Sequence, residues 1–119
     1  MLDATDRAGT RRWPRGQKFT LSPEGAGARE AYQAAVLAAR AAGRAALDAA
    51  LASWATPRAI APGDGVVLGE LGGKPRGLND LADALEECGI EVAEVRSAVD
   101  RLVAAGLVSP VPLASQVRV

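Results

Sequence analysis

Two stretches decide how this chain folds: Leu78-Asn79-Asp80-Leu81-Ala82-Asp83-Ala84-Leu85, and Val95-Arg96-Ser97-Ala98-Val99-Asp100-Arg101-Leu102-Val103-Ala104-Ala105-Gly106-Leu107-Val108. Leu81, Leu85 and Cys88 recur at helical spacing in the first, and Val95, Ala98, Val99 and Leu102 in the second, which predicts two amphipathic helices with one apolar face each. Asn79 or Asp80 opens the first helix, and Gly89 stands where a left-handed residue closes one. The second helix begins near Glu91 and ends at Ala105-Gly106. Only Gly89-Ile90 separates them, so Ile90 is expected to be buried at the corner. Cys88 is expected to act as a small core hydrophobe rather than a reactive thiol.

Downstream, Leu107–Val111 and Ser115–Val119 are two β-prone runs joined by a tight link, the pattern of a terminal hairpin. Upstream, Val66-Val67-Leu68-Gly69-Glu70-Leu71 is too short for periodicity to tell a helix capped by Asp64 from a strand. Pro57, Pro62, Gly63 and Gly65 make the connection before it turn-rich. Further back, a helix is predicted from about Ala28 to Trp54, stopped by Thr56-Pro57. Its stripe is Tyr32, Val36, Ala39, Gly43, Leu47, Ala50 and Trp54, with Arg29, Gln33, Arg40, Arg44 and Asp48 opposite. Before that helix, Lys18–Leu21 reads as a short strand, and Ser22-Pro23-Glu24 supplies an N-cap, a first-turn proline and a first-turn acid. A helix of that length exceeds what so small a domain needs. Its small-residue waist predicts a homodimer packed at Val36, Ala39, Gly43 and Leu47, the alternative being that the helix straps its own domain.

Two short helices, a glycine turn and a buried aliphatic at the turn describe a helix-turn-helix. The phrases "LxxLAxxL" at Leu78–Leu85 and "LxxxGLV" at Leu102–Val108 resemble the winged helix-turn-helix domains of bacterial MarR- and PadR-like regulators, over residues about 63–119. The resemblance implies that Val66–Leu71 is the leading helix and that helix 91–105 is the recognition helix. Thr20-Leu21-Ser22-Pro23-Glu24-Gly25 is similar to the strand-to-helix phrase that follows the wing in those regulators, although here it comes first. The expected fold is mainly α with a small β-hairpin, a winged helix-turn-helix preceded by a long alanine-rich helix. The expected division is a basic flexible arm at 1–18, strand plus long helix at 19–56, and the winged domain at 57–119.

Composition narrows the functions. The chain has 119 residues, no histidine, one cysteine and 3% aromatics. Ser-His and Cys-His nucleophiles are excluded and catalytic zinc sites are mostly so, which points away from an enzyme and from any cofactor or metal. No stretch approaches a membrane-spanning run, and Met1–Arg7 has no apolar signal core, so a cytoplasmic location is expected. Gly72-Gly73-Lys74-Pro75-Arg76-Gly77 is not a phosphate loop, because Pro75 lacks a donor and no hydroxyl follows the lysine.

Net charge is zero, but it is unevenly placed. Residues 1–59 carry nine basic against five acidic side chains, a net +4, and residues 60–119 carry five against nine, a net −4. Two functions stay open. As a DNA-binding regulator, the resemblance implies base contacts from Arg96, Ser97 and Arg101, and the basic arm adds phosphate contacts from Arg7, Arg11, Arg12, Arg15 and Lys18. As a protein-interaction module, an adaptor or inhibitor, the acidic face at Glu87, Glu91 and Glu94 would recognise a basic partner. Trp13, among the arginines, either stacks on a base or anchors the arm to the domain.

Overall fold

The computed structural model describes residues 13–111. The chain runs strand β1 (Lys18–Leu21), helix α1 (Pro23–Ala39), a 3-10 turn at Arg40–Ala42, helix α2 (Arg44–Ala55), a second 3-10 turn at Thr56–Arg58, helix α3 (Asp64–Glu70), strand β2 (Arg76–Gly77), helix α4 (Leu78–Leu85), a third 3-10 turn at Glu86–Cys88, helix α5 (Val92–Ala104) and strand β3 (Val108–Pro110). The protein is mainly α with a small antiparallel sheet, as the sequence pattern indicates. None of these helices is long and apolar enough to cross a membrane.

The corner between α4 and α5 follows the local signals closely. Gly89 takes the left-handed conformation after the 3-10 turn. Glu91 caps α5 reciprocally, its side chain accepting from the backbone of Glu94 while the Glu94 carboxylate accepts from the Glu91 N–H. That exchange satisfies two donors that a helix start otherwise leaves open. Leu81, Leu85, Val95, Val99 and Leu102 are all essentially inaccessible and meet Leu68, Leu71 and Phe19 in one core. Residues 64–70 are helical. Cys88 departs from expectation: it is exposed, because the last turn tightens to 3-10 and rotates it off the Leu81/Leu85 face.

β1 is the middle strand, in the order β2-β1-β3. Phe19 lies opposite Arg76 on one side and Pro110 on the other, and Thr20 lies opposite Ser109. The strand leaving the helix-turn-helix therefore pairs with the N-terminal strand, and the run Ser115–Val119 lies outside the described residues. Within the sheet β2 and β3 are joined through β1, so a strand from before residue 57 pairs with two strands from after it. The start of α1 is bolted to the same place. The Ser22 hydroxyl donates to the Gly106 carbonyl at 2.6 Å and accepts the Gly25 N–H at 3.0 Å, and the Ser22 N–H donates to the Leu107 carbonyl at 3.0 Å. Gly25 is required there, because a Cβ would lie 1.8 Å from the Leu107 oxygen.

The single long helix is the main correction. It breaks at Arg40–Gly43, and Gly43, at φ 104° and ψ 173°, occupies a backbone region closed to side-chain-bearing residues. α1 and α2 fold back on each other as a helical hairpin. Its base is pinned: the Trp54 indole N–H donates to the Ala28 carbonyl at 3.0 Å, the Tyr32 and Trp54 rings meet at a tilt with centroids 5.0 Å apart, and the Arg29 Nε donates to the Gly69 carbonyl. Beyond that base, residues 29–53 contain no buried residue. Val36, Ala39 and Leu47 are half-buried and Gly43 is the exposed turn. The surplus length on which a dimer along this stripe was expected is not present.

Candidate nucleic-acid interface

The segment before β1 is held rather than free from Trp13 onward. The Trp13 indole N–H donates to Asp100 at 2.9 Å, and its ring meets Phe19 edge-on at 4.9 Å. Gln17 is buried, and its amide donates to the carbonyls of Lys18 and Val111 at 2.8 and 2.7 Å. Trp13 thus anchors the segment to α5 and the sheet, and its indole N–H is engaged there. Two exposed cations, Arg15 and Lys18, are carried on this fixed turn. Arg7, Arg11 and Arg12 lie outside the described residues.

Arg15 and Lys18 line a cleft of about 420 Å³ together with Arg96 of α5 and with Asn79 and Asp80 of α4. Three cations from two distant parts of the chain therefore surround the start of α4. That helix has Gly77 as its N-cap and no side-chain cap, and its first residues Leu78, Asn79 and Asp80 line the cleft. Such a start carries the positive end of the helix dipole, and the cations add to it. Asp80 is the one acid in the lining.

The other two expected base readers are elsewhere. Arg101 stands five residues beyond Arg96, about 140° round the helix. It forms a two-pronged ion pair with Asp64, Nε and Nη2 each 2.8 Å from a carboxylate oxygen. The hydrogen bonds that Arg101 donates to Asp64 raise its pKa, outweighing the partial burial that would lower it, with smaller help from the charges of Asp64 and Asp100. Asp64 is 2% exposed and also accepts the Ala61 N–H at 3.0 Å, so it fastens the turn before α3 to α5. Arg101 is spent on positioning the helix. Ser97 is half-buried in the same groove, about 470 Å³, between Asp64, Glu94 and Ala98.

The acidic set is also divided. Glu94 caps α5 and borders the Asp64 groove, whereas Glu87 is exposed on the 3-10 turn. Glu91 borders a third cleft, about 480 Å³, with Asp83, Glu86, Ile90 and Val92. Among the described residues no group of three or more His, Cys, Asp or Glu could hold a metal ion. The sequence reading missed Asp64 as an organising residue and Asn79 as a cleft residue. Asp64 could be read locally only as a helix cap, a place that Gly63 takes, and nothing local marks it as the partner of Arg101, 37 positions away. Asn79 and Asp80 lie inside the first turn of α4, whose N-cap is Gly77. Compared with family models, curated proteins and solved structures, the chain matches none.

Proposed function

We propose that this chain is a small winged helix-turn-helix DNA-binding protein, a transcriptional regulator without catalytic activity, that grips the DNA backbone at the Arg15/Lys18/Arg96 cleft. The observation carrying this reading is the convergence of the anchored N-terminal segment and α5 on the uncapped start of α4. Phosphate neutralisation by clustered cations and by helix-start N–H groups supplies most of the affinity of such a protein. The succession of α3, α4, α5 and the closing strand β3 supports the winged-helix part of this reading. The strand-to-helix phrase Thr20–Gly25 stands beside β3 in space, although it comes first in the chain. In this reading Arg96 joins Arg15 and Lys18 on the phosphates, and Arg101 sets the tilt of α5 through Asp64.

The test is anisotropy of labelled duplex DNA of mixed sequence, with wild type and an Arg15→Ala/Lys18→Ala/Arg96→Ala variant. Loss of three phosphate contacts is expected to weaken binding by about 100-fold or more at low salt. Equal affinity of the two proteins contradicts the cleft as the interface. A second reading, a protein-interaction module, draws on one observation of its own: Val92 is exposed within an acid-rimmed cleft.

A further inference from the structure

Among the described residues, two large hydrophobic side chains are exposed: Leu37, at 69%, and Val92, at 49%. They lie on surfaces of opposite charge. Leu37 is at the end of α1, one helical turn before Arg40, and Arg44 follows across the Gly43 turn. Both arginines are exposed, and neither guanidinium has an ion-pair or hydrogen-bond partner among the described residues. Val92 opens α5 inside the cleft that Ala82 and Ile90 floor and that Asp83, Glu86 and Glu91 rim, with no cation in its lining. One surface is an apolar knob flanked by positive charge. The other is an apolar recess flanked by negative charge.

We propose that the hairpin tip of one copy, Leu37 with Arg40 and Arg44, docks in the Val92 cleft of a second copy. Charge complementarity selects this occupant: the tip brings cations to a cleft whose described lining holds three carboxylates and no cation, and it covers both exposed hydrophobic side chains in one contact. It also covers the part of the hairpin beyond its pinned base, residues 33–53, none of which is buried. The contact joins two different surfaces. Two copies related by a two-fold axis would make it twice and close, and otherwise it would propagate head to tail. It differs from an association along Val36, Ala39, Gly43 and Leu47, and it is independent of the DNA-binding proposal.

The test is sedimentation velocity of the whole chain, from about 10 μM to about 1 mM, the range of weak specific contacts. Wild type is expected to self-associate at low salt and to dissociate as salt rises, since exposed charges are screened. Leu37→Asp and the pair Arg40→Glu/Arg44→Glu are each expected to weaken association at least tenfold, and so is the pair Asp83→Lys/Glu86→Lys. Glu91 is left intact because it caps α5. The decisive sample mixes the tip-reversed with the cleft-reversed protein. Each alone sets like charges against each other, while the mixture restores both contacts and is expected to associate as wild type does. Circular dichroism checks that every variant is folded. A wild type that stays monomeric throughout, association that survives both reversals, or a mixture that stays apart overturns the proposal.

Discussion

Asp64 and Arg101 tie the start of α3 to α5. A buried carboxylate is tolerated only when its oxygens are satisfied, and here two guanidinium N–H groups and the Ala61 N–H satisfy them. Arg101→Ala strands the carboxylate and is expected to cost about 2–4 kcal/mol. Arg101→Lys keeps the charge but loses the fork, and is expected to recover only part of that. Urea unfolding of the two variants measures both. Tyr32 offers a second check. Burial between α1 and Gly65 raises its pKa, with a smaller contribution from Cys88. It is the only tyrosine, so an ultraviolet titration reads it alone. Its ionisation is expected above the ordinary value of about 10, returning there in denaturant. The sign follows: this group's stabilisation is complete below the unfolded pKa and is lost as pH rises through the folded one. An unshifted titration contradicts the packing of Tyr32.

At the scale of elements, Gly43 distinguishes the hairpin from a continuous helix by the sign of one measurement. In an uninterrupted helix Gly43→Ala would stabilise by about 1 kcal/mol. In the hairpin, alanine at φ 104° is strained, and a loss of about 1–3 kcal/mol in thermal or urea unfolding is expected. The helical period could not reveal the break, because Ala39, Gly43 and Leu47 stay in register across it. The α4–α5 corner was legible for the opposite reason: caps, glycine and apolar spacing all lie within a few residues of one another. The role of β1 was not, since nothing in Lys18–Leu21 states that its partners are Arg76–Gly77 and Val108–Pro110. Likewise the Trp13 to Asp100 bond joins positions 87 apart. A consequence is that removal of residues 1–12 should leave cooperative unfolding intact, while removal of residues 1–21 should abolish it, because β2 and β3 then have no strand between them. Calorimetry of the two truncations checks this, and a cooperative transition in the shorter chain contradicts the central place of β1.

Across the whole molecule, a neutral total conceals a +4 half and a −4 half. The fold does not keep these halves apart. It brings Arg15 and Lys18 of the first to Arg96 of the second, and it leaves Asp83, Glu86 and Glu91 around a separate cleft. The candidate site was therefore half legible. The cations of the arm and α5 were identifiable as residue types, but their grouping depended on a Trp13 anchor and a sheet register that no local pattern records. Arg101 looked equivalent to Arg96 until its partner was visible. The central claim is that the Arg15/Lys18/Arg96 cleft holds DNA phosphates. Its most direct measurement is the salt dependence of duplex binding for wild type and for single alanine variants at these positions and at Arg101. Each of Arg15→Ala, Lys18→Ala and Arg96→Ala is expected to reduce the slope of log K against log salt by about 1, as one lost phosphate contact does. Arg101→Ala is expected to leave the slope unchanged at temperatures where it remains folded. Slopes unmoved by the three cleft variants would contradict the account.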